Sequence, residues 1–228
     1  MAFAVFHHPR ALALCALIGI GGAGSAAAHP HVFIDAGLTL FHDAAGRVAE
    51  VEVTWRYDEL YTLILLQDLD LDPDFDGDLT EDEIAQTLGF DLNWNSGFEG
   101  GLELSRGDVA LRIGPPRPQA LTLLPEGRLE TVHRREVTGD PGGDAALVAA
   151  IYDPAFYIAF EAILPTEVRA PTGGPAPCSV ELLRADLDAA YAELETALAE
   201  IGGVVAAEDN FPAVGALFAD RLVVACDG

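Results

Sequence analysis

Residues 72–83, Asp-Pro-Asp-Phe-Asp-Gly-Asp-Leu-Thr-Glu-Asp-Glu, carry the densest chemistry in the 228-residue chain. Their spacing matches a twelve-residue calcium loop, in which alternate residues aim oxygen ligands at one hard cation. Asp72, Asp74 and Asp76 fall at positions 1, 3 and 5, and Gly77 takes position 6, where the turn needs a positive φ. Asp78 offers its carbonyl at position 7 and Glu83 a two-oxygen grip at position 12, so Ca2+ is the expected ligand. The opposing reading is a solvated acidic loop. Nine carboxylates lie between residues 68 and 83 with no base among them, and without a cation they repel one another. Thr80 and Glu83 also fit a capping box, which would explain Glu83 without a metal, and Pro73 and Phe75 stand where polar residues are commoner.

Three histidines form a second candidate set. Residues 1–28 read as an export signal: a basic opening, an apolar run too short to span a bilayer, and small residues up to Ala28. Cleavage there exposes His29-Pro30-His31, whose α-amine and imidazoles suit nickel, cobalt, zinc or copper. Pro30 blocks the simple three-residue copper or nickel chelate, whereas a cut two residues earlier would expose Ala27-Ala28-His29, which permits it. His133 is a third candidate ligand, with an ordinary strand histidine as its alternative. His42 falls in a turn and is expected to be exposed. Cys15 leaves with the signal, so Cys178 and Cys226 are expected to form a disulfide. Closing that loop would stabilise the fold by about 4 kcal/mol in the chain-entropy model.

The charge balance narrows the partners. All twelve basic residues are arginine; after processing, eleven face 37 acids, a net charge of −26. Nucleic acid and anionic membrane are poor partners for such a surface. Half the chain is apolar, which excludes acidic disorder, and the 200 processed residues suffice for one sizeable domain.

The elements that must position these groups read as α+β. Strands are predicted over 32–34 and 38–41, then 48–55, forming a hairpin. A helix over 58–67, capped by Asp58 and burying Leu60, Leu63, Ile64 and Leu66, leads into the acidic loop. A shorter helix over 81–88 leaves it, closed by Gly89. Strands over 101–104, 109–113, 120–124, 128–137, 147–152 and 156–164 suggest a mainly antiparallel β sandwich or open barrel. Trp94, Phe98, Tyr152, Phe156 and Tyr157 read as core or rim aromatics. After a Pro/Gly connector over 171–177, an amphipathic helix is predicted over 179–201, then a helical turn and a strand over 221–225. The expected organisation is an export signal (1–28), a β-rich domain (29–170) containing an EF-hand-like segment (58–89), and a C-terminal extension (171–228) packed on that domain.

Four segments carry a resemblance: His29-Pro30-His31-Val32-Phe33-Ile34-Asp35, Trp55-Arg56-Tyr57-Asp58-Glu59, the aspartate–glycine loop, and Tyr152-Asp153-Pro154. Together they resemble a family of uncharacterised bacterial periplasmic proteins described as components of ABC-type transport systems. The resemblance implies a periplasmic location and a membrane metal transporter or permease, of nickel/cobalt type, as partner.

Three functions follow as expectations. The first is a calcium-stabilised accessory protein of a divalent-metal transport system. The second is a calcium-dependent interaction module without a transition-metal site. The third is a copper enzyme using the N-terminal histidine, disfavoured because no nucleophile elbow, H-E-x-x-H helix or phosphate loop occurs; a non-enzymatic role is expected.

Overall fold

The computed structural model describes residues 30–94, 98–202 and 211–226. Residues 1–28, expected as an export signal, and the candidate ligand His29 lie outside them. The first hairpin is built from β1 (Val32–His42) and β2 (Val48–Tyr57), whose alternating burial turns one face inward. The chain then forms α1 (Glu59–Asp68) and α2 (Glu81–Thr87) around the acidic loop. Short strands follow as β3 (Leu102–Arg106), β4 (Val109–Ala110) and β5 (Arg112–Ile113). Next come β6 (Arg117–Leu123), β7 (Leu129–Thr138), β8 (Leu147–Ile151), β9 (Ile158–Glu161) and β10 (Thr166–Arg169). The C-terminal part contributes β11 (Cys178–Leu183), α3 (Leu187–Glu200), a 3-10 turn at Gly215–Phe218 and β12 (Arg221–Cys226).

The α+β class holds, with two sheets. One is a curled half-barrel of seven strands with the path β10-β1-β2-β7-β5, β6 also pairing with β7 and β9 with β1. It is mixed, because β9 and β10 both run parallel to β1, one after the other along a single edge. Between them the Leu164 amide donates to Ala36 O at 3.1 Å. A Cβ on Gly37 would lie 2.8 Å from Leu164 Cβ, so this crossing needs glycine. The other sheet is antiparallel, in the order β11-β12-β8-β3-β4. Residues of both sheets, from Leu38 and Val53 to Leu147 and Val224, share one apolar core. A smaller cluster sets Ala190 and Leu194 of α3 against Phe156, Val214 and Phe218.

Two expectations about the helices fail. The helix predicted from 179 begins only at Leu187, capped by Asp186; residues 178–183 are strand β11, paired along its length with β12. The ladder and the Cys178–Cys226 bridge override the local helical spacing there. Helix α1 is also rotated relative to the predicted orientation. Leu60 is 71% exposed and Leu63 62%, Ile64 is exposed too, while Thr62 and Leu65 are buried. Two polar contacts set this rotation. Asp58 accepts from the Phe33 amide at 3.2 Å, and Thr62 Oγ1 accepts from the Leu129 amide at 3.0 Å. These residues, four apart, share the helix side that must face the sheet.

Among the described residues no helix is long and apolar enough to cross a membrane.

Candidate metal centre

The acidic loop is wound around Asp72. Its side chain accepts from the Asp76 amide at 2.9 Å and the Gly77 amide at 3.3 Å, and Asp76 accepts from the Asp78 amide at 2.9 Å. Gly77 has φ +86°, as its place in the turn requires. Asp72, Asp74 and Asp76 bring one carboxylate oxygen each within 4.8 Å of one another, Asp72 buried and the other two exposed. Three anionic oxygens at that spacing suit a hard cation.

Glu83 is held beside them. It accepts from the Asp72 amide at 2.7 Å, from the Thr80 amide at 2.6 Å, and from the Thr80 hydroxyl, completing a capping box at the start of α2. These bonds, the Thr80 hydroxyl first, hold its carboxyl below the usual range. A two-oxygen grip on a cation would require Glu83 to exchange these amide and hydroxyl donors for the ion. The approach to the loop is bent, since α1 ends at Asp68 and a turn with φ +53° at Asp70 precedes Asp72.

The histidines are not brought together. His31 is exposed at the start of β1, its amide donating to Tyr157 O at 2.9 Å and its ring 4.9 Å from the Tyr157 ring. His133 pairs with Val53, which pairs with Leu38, roughly 20 Å along β1 from its start at about 3.3 Å per residue. Its ring is 1% exposed and lies 5.0 Å from Trp55 and 5.6 Å from Trp94. Both His133 nitrogens and Trp55 Nε1 are buried without hydrogen-bond partners. Burial, with Arg135 nearby, lowers the His133 pKa to about 3, so the ring is neutral.

Tyr157, against whose ring His31 lies, lines a cleft of about 420 Å³ together with Trp55, Tyr57, Tyr61, Asp91 and Trp94 among others. Three of the segments that carried the family resemblance meet here. Phe33 bonds Asp58 in both directions through its amide and carbonyl. Asp153 accepts from the amides of Ala155, Tyr157 and Ile158 and so shapes the turn under His31. Tyr57 donates to Asp91 at 2.9 Å, and Thr131 does so at 2.6 Å. Burial raises the Asp91 pKa against those two bonds, and burial followed by Asp91 raises Tyr57 well above its ordinary value. Asp91 was missed in the sequence, where nothing but its place after Gly89 sets it apart.

His42 departs from its expected exposure. It closes β1 at a bulge, is half-buried, and has its Nε2 buried without a partner. One of its nitrogens lies within 4.8 Å of the sulfurs of Cys178 and Cys226. The cysteines are bridged as expected, directly opposite each other on β11 and β12. Burial, then Arg106, lowers the His42 pKa.

Fold and site together define an α+β scaffold with a disulfide staple and a loop that brings three aspartate oxygens together. The chain belongs to the family described as "Protein of unknown function (DUF1007)", which it matches over residues 14–226. No curated protein matches it.

Proposed function

We propose that the protein is a periplasmic, calcium-stabilised accessory or binding protein of a divalent-metal transport system. Calcium would sit on Asp72, Asp74, Asp76, the Asp78 carbonyl and Glu83 in an EF-hand-like segment, and would hold α1 and α2 in place. The observation that carries this reading is the convergence of the Asp72, Asp74 and Asp76 oxygens around a glycine-kinked turn with no arginine to neutralise them. A nickel, cobalt, zinc or copper ion would bind His29 and His31, imidazole suiting these ions as carboxylate suits calcium. His133, neutral and buried, is far less accessible than His31 and would join only if the aromatic cluster opened. A transporter or permease as partner rests on the family resemblance.

The test is thermal unfolding and metal titration of the secreted, processed protein. Calcium is expected to raise the melting temperature and EDTA to lower it. Submicromolar nickel, zinc or copper binding should vanish in His29→Ala and His31→Ala. An unfolding curve indifferent to EDTA removes the calcium part, and no transition-metal binding before mutation removes the other.

A second reading, a calcium-dependent interaction module without a transition metal, draws support from α1. The helix leading to the loop exposes Leu60, Leu63 and Ile64 on one side. In that case calcium stabilises the protein while nickel and zinc do nothing, and substituting these three residues abolishes capture of a permease partner.

A further inference from the structure

The disulfide end of the molecule gathers a different ligand set. Cys178 and Cys226 face each other across the β11–β12 ladder, and the bulge between Phe41 and His42 turns the end of β1 toward them. The imidazole and both sulfurs lie within 4.8 Å of one another, beside a cleft of about 390 Å³ that Arg106 and Ala145 also line. His42 Nε2 is buried with no hydrogen-bond partner, an arrangement that needs a reason because such a group forgoes water for nothing in return.

We propose that the reduced form of this cluster, the Cys178 and Cys226 thiolates with the His42 imidazole, is a binding site for a thiophilic d10 cation, zinc(II) or copper(I). The site shares no residue with the acidic loop or with the N-terminal histidines and stands whether or not those bind metal. The redox step balances with a dithiol reductant. Its thiolate attacks one sulfur of the bridge, a mixed disulfide forms, and its second thiol resolves it. The reductant leaves as a disulfide, having delivered two electrons and two protons to Cys178 and Cys226. The cation then displaces both thiol protons.

The geometry suits this exchange. Thiolate ligands at about 2.3 Å and imidazole at about 2.0–2.1 Å set tetrahedral ligand atoms roughly 3.6–3.8 Å apart. Once the bridge is broken, rotation of the two cysteine side chains at the strand ends separates the sulfurs toward that spacing, with the imidazole already within 4.8 Å of both. Three protein ligands leave a fourth position for water or an incoming ligand. Oxidised, the pair staples β11 to β12; reduced, it holds a metal. The redox state of the surroundings would thus select between two roles.

The experiment uses the full processed chain, reduced anaerobically with a phosphine that is then removed, and cobalt(II) as a spectroscopic stand-in for zinc. A thiolate-to-cobalt charge-transfer band saturating at one equivalent and discharged by zinc is expected in the reduced protein only. His42→Ala and His42→Gln should each weaken cobalt binding tenfold or more while the band persists. Absence of the band in reduced protein overturns the proposal, and so does unchanged affinity in both His42 variants. Loss of the native near-UV spectrum on reduction that zinc does not restore overturns it equally.

Discussion

Two buried aspartates, Asp72 and Asp140, are satisfied in opposite ways. Asp140 is 8% exposed and accepts from the Val48 amide at 2.7 Å and the Gly142 amide at 2.9 Å. Arg106, itself buried, donates to both its oxygens, at 2.7 and 3.0 Å. Burial raises the Asp140 carboxyl; the Arg106 bond and the two amides outweigh it and leave it below the usual range. Asp72 is 7% exposed and also accepts backbone amides, yet the charged groups beside it are Asp74, Asp76 and Glu83. The first anion carries its cation in the chain. The second has amides for part of its need and only more anions around it, so an ion from solution is what could complete it.

The strongest way to break the contrast is to remove the built-in cation. Arg106→Ala leaves Asp140 buried and unpaired and should cost about 3–5 kcal/mol, read by urea unfolding. Calcium should not restore it. Replacing both partners with apolar residues of similar volume should cost much less, because no orphaned charge remains. A small loss for Arg106→Ala alone would mean that the Asp140 site rearranges or hydrates, and the contrast with Asp72 would fail.

Asp72→Asn with Asp76→Asn tests the other side. In wild-type protein, calcium at one hundred times its dissociation constant should add about 2.7 kcal/mol. The double variant should lose that increment. In EDTA it should match or exceed wild type, since two of the crowded charges are gone. Equal calcium responses in the two proteins would show that the loop is a solvated acidic turn.

The sequence foretold most of the hairpin, both loop helices, the bridge and the strands other than β10 and β11, because each rests on short-range signals. The Asp58 cap, the Thr80–Glu83 box and the alternation along β2 are all local. What it concealed depends on distant partners. α1 has apolar residues on both sides, and only Phe33 and Leu129 decide which side turns inward. Residues 178–183 have helix-compatible spacing, but β12, across a separation of 48 residues, makes them a strand. The parallel edge formed by β9 and β10 on β1 follows from an irregular passage around Leu164, where Pro165 signals a break but not a return to the same strand. The candidate loop was legible residue by residue. The closeness of His42 to the bridge was not, since it joins the end of one sheet to the edge of the other.

His133 shows a third treatment of a buried ionisable group, which is to leave it uncharged. The inward positions of β7 run Leu129, Thr131, His133, Arg135, Val137. Arg135 keeps its charge there by donating to Gly114 O at 2.7 Å and Glu99 O at 2.8 Å, and by lying 5.0 Å over the Trp94 ring. His133 has no such acceptors, and its pKa falls to about 3. Well above pH 6.5 it is neutral folded or unfolded and adds almost nothing to the pH dependence. Below that value the unfolded chain takes up a proton that the native state refuses until about pH 3, so stability declines as pH falls through this window. Between pH 7 and pH 5.5 the loss from this one residue should be on the order of 1 kcal/mol. His42, also lowered, acts in the same direction, so the informative quantity is the difference in slope between wild type and His133→Phe. The variant should show the shallower decline, because its ring has no proton to take up in either state. Identical slopes would mean that the native His133 ring does accept a proton in this range, through a hydrogen-bond partner or by opening of the Trp55–Trp94 cluster, and a route for a metal ion to that ring would then exist.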